Sequence, residues 1–227
     1  MTTQFRPPSR VTRSRAQAAA AYNHLSRFYD LLSSGAEARF LRQGLAALGV
    51  REGERVLDIG CGTGQAVVAL ARAVGAMGQV FGIDLSPDML RVARARVERT
   101  GLGARVQLQC GDALTLPYAD ASLDAALMSF TLELFDTPEI PLVLAECRRV
   151  LKPGGRLGAV AMSQPECPGL IVRLYEWVHE RFPAYVDCRP IAVRQSIEAA
   201  HFGILVARVG MMYGLPVETV LAEKTGR

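Results

Sequence analysis

A glycine-rich run that carries an acidic residue stands out among the 227 residues. Residues 56–64 read VLDIGCGTG, so an apolar segment leads into three glycines at alternate positions. A strand that ends in such a turn lets a ligand approach the backbone closely, and open α/β sheets bind ligands at the carboxyl ends of their strands. We therefore predict ligand contacts at Asp58, Gly60, Cys61, Gly62 and Gly64.

The spacing of these glycines separates several classes of ligand. A dinucleotide fingerprint needs glycine at position 65, where the chain has Gln65, and a P-loop needs a lysine that the run lacks. A carboxylate at Asp58 disfavours a phosphate but favours a ligand that carries an ammonium and a sulfonium. The run therefore points to S-adenosylmethionine, with another nucleotide-binding, doubly wound protein as the alternative.

Two further acidic residues end apolar runs downstream. Asp84 lies 24 positions after Gly60, a distance at which an acidic residue commonly accepts the ribose hydroxyls of an adenosine. Ser86 is a better N-cap than Asp84 for the helix that Pro87 opens, which leaves Asp84 for the ligand. The pair Gly111-Asp112 ends the next run, where it is either a binding element or only a turn.

The elements that position these residues alternate between short apolar runs and helical stretches. This alternation predicts a parallel sheet with helices on both faces. The predicted strands span 55–59, 79–83, 104–109, 123–129 and 156–162, and the predicted helices span 65–74, 87–99 and 140–151.

The two ends of the chain depart from this alternation. We predict a flexible basic arm over residues 1–15 and one domain over residues 16–227, which begins with lid helices within 16–50. The helical patterns behind these lid helices run over 14–32 and 36–48. An insertion at 163–189, with a helix at 169–181, is expected over the substrate cleft. Pro190 is then predicted to open a helix that ends at Ala200, before an antiparallel hairpin of strands 204–212 and 216–221.

Charge and cysteine content exclude several functions. Residues 1–29 hold five arginines and no acidic residue, whereas the other 198 residues hold 21 basic and 22 acidic groups. A nearly neutral body argues against a nucleic-acid groove, which needs clustered cations. Five cysteines without C-x-x-C spacing suggest neither a disulfide framework nor a metal site. We expect a cytoplasmic protein; an organellar transit peptide is a minor alternative for the basic leader.

Three further segments complete a resemblance to the class I S-adenosylmethionine-dependent methyltransferases. Besides the glycine run and Asp84, residues 116–124 (LPYADASLD), 128–130 (MSF) and 151–157 (LKPGGRL) are similar to motifs of that family, in the family's order. Tyr29-Asp30, the 117–124 segment and the insertion look like the ubiquinone and menaquinone C-methyltransferase group. The segments 188–191 and 211–216 depart from those quinone enzymes, which leaves the acceptor open.

The resemblance implies a fold and a cofactor site. The fold is a Rossmann-like, doubly wound, mostly parallel seven-stranded sheet with an antiparallel C-terminal hairpin strand, N-terminal helices and a small helical insertion after the fifth strand. Asp112 would receive the adenine amino group, and Cys61 would pack against the ligand rather than react. The implied cofactor-binding residues are Tyr29, Asp58, Gly60, Cys61, Gly62, Gly64, Asp84, Leu85, Met89, Gly111, Asp112, Ala113 and Ser129.

Methyl transfer from a sulfonium requires positioning more than a catalytic group. The donor is already activated, so the enzyme mainly holds acceptor and methyl in line. A base is needed only when the acceptor must lose a proton, and no residue is assigned that role. The candidates are Tyr22, His24, Tyr29 and His179, with Tyr175 and Tyr185 as further members of the same set.

The expected activity is methyl transfer to a small or lipidic acceptor, either a quinone-like carbon or a phospholipid amine. The S-adenosylmethionine would be converted to S-adenosylhomocysteine. The basic N-terminal helix could also contact an anionic membrane peripherally. Two alternatives are a non-catalytic cofactor-binding partner subunit and a nucleic-acid methyltransferase, although no nucleic-acid partner is expected from the charge distribution.

Overall fold

A computed structural model describes residues 35–165, 169, 172, 175, 177, 181 and 188–226. The expected arm at 1–15 and the first lid helix at 14–32 lie outside these residues. The second lid helix is present as α1, Gly35–Leu48. Of the expected insertion helix, the described residues Val172, Tyr175, Trp177 and Arg181 are helical.

Seven strands form one sheet, in the order β3-β2-β1-β4-β5-β7-β6. Strands β1 to β5 pair in parallel, and β7 pairs antiparallel with both β5 and β6. The predicted fold class, including the antiparallel C-terminal hairpin, is confirmed. The strands are β1 Arg55–Ile59, β2 Gln79–Asp84, β3 Val106–Cys110, β4 Leu123–Ser129, β5 Leu151–Met162, β6 Phe202–Met212 and β7 Leu215–Lys224.

Helices cover both faces of this sheet. The four that follow α1 are α2 Gln65–Ala73, α3 Pro87–Arg99, α4 Ile140–Val150 and α5 Val193–Ala199. Buried apolar side chains of α1 and α2 pack on one face, and those of α4 and α5 pack on the other. Helix α1 approaches β5 closely at Gly44, where an added Cβ would lie 2.6 Å from a methyl of Val160. Both central strands, β1 and β4, are therefore buried on two sides.

The prediction that Pro190 opens a helix is wrong, since α5 begins at Val193. Ile191 instead forms a parallel bridge with Ser163. The Ile191 N–H donates to the carbonyl of Met162 (3.0 Å), and the Ile191 carbonyl accepts from Gln164 N (3.0 Å). This pairing with the end of β5 satisfies the backbone groups that a helix would otherwise use, and local sequence carries no signal of it.

Two strand boundaries also differ from the prediction. Strand β5 begins at Leu151, five residues before the expected start, because Leu151 pairs with Leu123 ahead of a bulge between Leu123 and Ala125. The 151–157 segment is thus part of the strand. Strand β3 begins at Val106, because a 3₁₀ turn at Gly103–Arg105 occupies the residues before it.

The 116–124 segment is held in place by one arginine of α4. The Arg149 guanidinium donates to the carbonyls of Tyr118 (2.7 Å) and Leu116 (2.8 Å) and pairs with the carboxylate of Asp120 (2.7 Å). A planar group with several donors suits such a set of oxygens. We infer that this segment supports the fold and that its residues shape the loop after β3.

Candidate functional site

The turn between β1 and α2 adopts a left-handed backbone at three alternate residues. Gly60, Gly62 and Gly64 have φ values of 67°, 49° and 80°. This conformation is strained for residues with a Cβ and relaxed for glycine. The N–H groups of Gly60 and Cys61 both donate to the carbonyl of Ile83 (2.8 and 3.1 Å), which fastens the turn to β2.

The three glycines differ in what an added Cβ would meet. A Cβ on Gly60 would lie 2.5 Å from Thr131 Cγ2, and one on Gly64 would lie 3.0 Å from Ala93 Cβ. A Cβ on Gly62 would meet nothing within 4 Å. The first and third glycines therefore allow close packing inside the protein, whereas the second leaves its outer side open.

The Asp84 carboxylate, at the end of β2, is bound to this turn. Its Oδ2 accepts from Gly62 N (2.8 Å), and its Oδ1 accepts from Ser86 N (2.8 Å). Ser86 is the N-cap of α3, as predicted, and its hydroxyl accepts from Met89 N (3.1 Å). Burial raises the pKa of Asp84, and the two backbone bonds act in the opposite direction. Since each carboxylate oxygen can accept more than one hydrogen bond, both can also serve a ligand.

Asp58 is a buried acid beside the same turn. Its side chain is only 2% exposed, and its Oδ2 has no hydrogen-bond partner among the described residues. Burial, followed by the charge of Asp84, raises the pKa of Asp58 to about 8. An unsatisfied buried carboxyl oxygen costs free energy unless a ligand satisfies it. The site is therefore prepared for a donor or a cation.

A cavity opens over Asp58 at the carboxyl ends of β1 and β4. Five of the predicted cofactor residues line it: Asp58, Gly60, Cys61, Gly62 and Ser129. Sequence reasoning missed the other lining residues, which are Glu37, Ala38, Leu41, Thr63, Gln65, Ala66 and Phe130. Thr63, Gln65 and Ala66 were within reach of the glycine motif, and Phe130 follows Ser129 directly. The α1 residues carry no local signal.

Of the remaining predicted cofactor residues, Tyr29 is not among the described residues, and the described ones lie outside the lining of this cavity. Met89 is buried at the start of α3, and Leu85 is half-buried after β2. Gly111 N donates to the carbonyl of Asp84 (3.0 Å), and Asp112 Oδ1 accepts from Leu114 N (2.9 Å), so this pair does form a turn. The buried Ala113 follows it. These groups border the end of the sheet on the β2 and β3 side of the cavity.

Most of the candidate bases are not among the residues that the structure describes. Tyr22, His24, Tyr29, His179 and Tyr185 are not among the described residues. Tyr175 is described, and its hydroxyl donates to the carbonyl of Cys188 (2.9 Å). That bond ties the insertion to the segment before α5 and gives Tyr175 a structural role.

Cys61 lies in the glycine turn, where burial raises the pKa of its thiol well above the ordinary value. The nearby carboxyls of Asp58 and Asp84 act in the same direction. A protonated, buried thiol is a poor nucleophile. Its sulfur packs at the position where Gly82 has no Cβ, 3.0 Å from an ideal one. The geometry therefore favours packing over reaction.

Comparison with known proteins identifies the family. The sequence model of a protein family described as a methyltransferase domain matches residues 56–155. The chain is 36% identical over 163 residues to a demethylmenaquinone methyltransferase of Lactobacillus johnsonii, covering 71% of this chain and 65% of that protein. It is 37% identical to a 2-phytyl-1,4-naphtoquinone methyltransferase of Synechococcus elongatus, covering 72% of this chain and 67% of that one. The chain belongs to the methyltransferase family.

Solved structures share the fold of this methyltransferase. The [4+2]-cyclase SpnF has a TM-score of 0.78 and 22% identity, with 97% of this chain and 99% of that one covered. A SAM dependent methyltransferase from Aquifex aeolicus has a TM-score of 0.66 and 23% identity, with 88% and 98% covered. The predicted class I fold is confirmed. The aligned part spans about two thirds of the length of the quinone-modifying relatives.

The residues present fit the cofactor that this family implies, S-adenosylmethionine. The unsatisfied Oδ2 of Asp58 suits its ammonium, and the open side of Gly62 allows contact with the backbone. Both features arise from the turn that predicted this cofactor. The described residues contain no group of three or more His, Cys, Asp or Glu side chains that could hold a metal ion. Among them, no helix has the length and apolar character needed to cross a bilayer.

Proposed function

We propose that this methyltransferase moves the methyl group of S-adenosylmethionine onto a quinone-like small molecule. The observation that carries the proposal is the buried, unsatisfied Oδ2 of Asp58 at the floor of the glycine-turn cavity. A cation at that point satisfies the oxygen and ionises the carboxyl. The cofactor, when bound, supplies an activated methyl group on a sulfonium.

We assign roles to the site residues as part of this proposal, on the basis of their places along the sheet edge. Asp58 holds the ammonium at the end of β1, and the open side of Gly62 receives the chain of the ligand. Asp84, at the end of β2, accepts the ribose hydroxyls with its remaining lone pairs. Asp112 accepts the adenine amino group at the end of β3, while Leu85, Met89 and Ala113 flank the ring. These assignments match the strand order β3-β2-β1.

The acceptor is proposed to enter from the β4 side of Asp58. Ser129 ends β4 there and Phe130 follows it, and Ala38 and Leu41 of α1 line the same cavity. The relatives are named for a demethylmenaquinone and for a 2-phytyl-1,4-naphtoquinone, and we propose a ring carbon of such a quinone as the acceptor atom. Such a carbon must lose a proton, so a base is required; Tyr22, His24, Tyr29 and His179 remain the candidates.

The test uses purified protein and methyl-labelled S-adenosylmethionine with a panel of acceptors. The panel contains reduced 1,4-naphthoquinone, phosphatidylethanolamine vesicles and total RNA, each measured with wild type and with Asp58→Asn. Label on the naphthoquinol in wild type, strongly reduced in the variant, supports the proposal. Label on the phospholipid or on RNA in the absence of naphthoquinol methylation contradicts it.

A control separates a silent subunit from an enzyme. Binding of S-adenosylmethionine is measured by calorimetry on the same preparation. Binding without label in any fraction, including host-cell extract, favours the non-catalytic partner subunit. This control matters because SpnF, which shares this fold, is named a [4+2]-cyclase, so the fold by itself does not determine the reaction.

Peripheral membrane contact through the basic N-terminal segment is a separate part of the proposal. Its five arginines lie within residues 1–29. Deletion of residues 1–15 is expected to reduce sedimentation with vesicles containing an anionic phospholipid and to leave cofactor affinity unchanged. Equal sedimentation of the full chain and the shortened chain would contradict a role for this arm in membrane contact.

A further inference from the structure

The turn after β4 holds an aromatic residue in a left-handed backbone. Phe130 has a φ of 53°, a conformation that a bulky residue with a Cβ adopts only under strain. Its N–H donates to the carbonyl of Val160 on β5 (2.7 Å). Glycine or asparagine at this position would relieve the strain without loss of that backbone bond. The backbone bond therefore does not account for an aromatic side chain at this position.

The neighbouring residue fixes this turn from the other side. The methyl and hydroxyl of Thr131 lie where Gly60 has no Cβ, at 2.5 and 2.6 Å from an ideal one. The Thr131 hydroxyl also donates to the carbonyl of Ser129 (3.1 Å). The turn after β4 therefore packs against the glycine turn after β1, and this packing holds Phe130 beside the cavity.

The Phe130 ring separates an apolar cluster from the cavity. It is half-buried and packs against the cluster of Phe40, Val160, Met212 and Val217. It also lines the cavity over Asp58, together with Ala38 and Leu41 of α1. One wall of the cavity is thus apolar and aromatic, and the floor beside it is the carboxyl that suits the cofactor's cation.

We propose that Phe130, Ala38 and Leu41 form the acceptor subsite, in which the Phe130 ring packs against a planar aromatic acceptor. The inference rests on the proposed function and deepens it by assigning ring recognition to one side chain. Aromatic rings prefer offset or edge-to-face contact with other rings, which an aliphatic side chain cannot reproduce. The strained backbone places this ring at the wall of the cavity.

Three substitutions distinguish the contribution of the aromatic ring from those of the strained backbone and of side-chain volume. Phe130→Tyr keeps a ring, Phe130→Leu keeps an apolar side chain, and Phe130→Asn keeps a residue that tolerates a positive φ. Tyr213→Asn is the matched control, because Tyr213 has a φ of 51° and is 72% exposed in the turn between β6 and β7. It relieves the same kind of strain away from the cavity.

The readouts are the KM for reduced 1,4-naphthoquinone, the Kd for S-adenosylmethionine and the thermal midpoint. The Leu and Asn variants should raise the KM about tenfold, with the Kd within about twofold of wild type. The Tyr variant and the Tyr213→Asn control should keep the wild-type KM. A wild-type KM in Phe130→Leu, or a changed Kd and midpoint with an unchanged KM, would overturn the subsite and assign Phe130 a purely structural role.

A binding measurement keeps this result apart from failure of the proposed function. Equilibrium dialysis of 1,4-naphthoquinone is performed on all variants in the presence of S-adenosylhomocysteine. Binding to wild type that the Leu variant loses supports the subsite even if no methyl transfer occurs. Methyl transfer by wild type with an unchanged Leu variant contradicts the subsite and leaves the function in place. Binding equal in both proteins, or absent from wild type, also overturns the subsite.

Discussion

Two turns at the same edge of the sheet adopt left-handed backbone with opposite residue types. The turn after β1 uses Gly60, Gly62 and Gly64, whereas the turn after β4 uses Phe130. The first removes side chains from the place where a ligand approaches the backbone. The second accepts strain to place a ring at the same cavity. The comparison teaches that one backbone conformation can have two uses, cofactor access in the first turn and, as we propose, acceptor contact in the second.

The largest expected effect comes from giving the first turn a side chain. Gly60→Ala places a Cβ 2.5 Å from Thr131 and forces alanine into a φ of 67°. Overpacking together with a left-handed backbone should lower the free energy of unfolding by about 3–4 kcal/mol. Urea denaturation measures it, and cofactor binding should be lost as well.

Gly62→Ala is the matched control for that prediction. The position has a φ of 49° but nothing within 4 Å of an added Cβ. Only the backbone strain then applies, and the cost should be about 1–2 kcal/mol. If both variants lost equal stability, the interlock of Gly60 with Thr131 would not be a determinant of the turn.

The next effect concerns the acid beneath the glycine turn. Asp58→Asn removes the charge that we propose for the cofactor's ammonium, so affinity for S-adenosylmethionine should fall by about 3 kcal/mol at pH 8. In wild type the pKa of about 8 means that binding must release the carboxyl proton at lower pH. Affinity should therefore rise from pH 6 to pH 8, and fall at higher pH as the ligand's α-amino group loses its proton at about 7.7–8.0.

The variant should lose the rising limb of this profile and keep the falling one. Calorimetry at several pH values measures both. A useful control ligand is methylthioadenosine, which lacks the ammonium and should bind wild type and variant alike. A rising limb retained in Asp58→Asn would assign the titration to another group.

The same carboxyl makes a prediction for the ligand-free protein. Its pKa in the folded state lies above the unfolded value of 3.8, so the folded state holds the proton more tightly. The resulting stabilisation is complete below about pH 4 and is lost as pH rises through 8. From pH 5 to pH 8, Asp58→Asn should therefore gain stability relative to wild type by more than about 1 kcal/mol. A constant difference between the two proteins would contradict the buried, protonated acid.

Asp84 tests whether the end of β2 serves the ligand as well as the turn. Asp84→Asn keeps one acceptor but turns a donor towards Gly62 N or Ser86 N, which both need an acceptor. Cofactor affinity should fall by about 2 kcal/mol. Ser86→Ala is the control, because it removes the cap of α3 and leaves Asp84 in place. If Ser86→Ala weakened binding equally, the effect would come from the loop rather than from the ribose.

Local patterns predicted the glycine turn and the order of the elements better than the features that depend on distant pairing. The glycine turn, Ser86 as N-cap and the alternation of strands and helices depend on residues close together in sequence, and the structure has all of them. The bridge between Ile191 and Ser163 depends on distant pairing, as does the bulge that extends β5. No residue near Pro190 signals that partner. Phe130 belongs to the 128–130 motif, but its positive φ accompanies a hydrogen bond to Val160 and the packing of Thr131 against Gly60, which are distant in sequence.

The smallest expected effect concerns the stability cost of the left-handed backbone at Phe130, which we compare with that at Tyr213 in the turn between β6 and β7. Tyr213→Asn replaces an exposed aromatic residue that has a φ of 51°, so relief of strain should raise the free energy of unfolding by about 1 kcal/mol. Phe130→Asn relieves similar strain but removes a ring from the cluster of Phe40, Val160, Met212 and Val217. The lost packing should offset or exceed the gain. Urea denaturation of both variants should therefore separate them, with Tyr213→Asn the more stable. Equal gains would mean that the Phe130 ring contributes little to packing and that its strain serves the cavity alone.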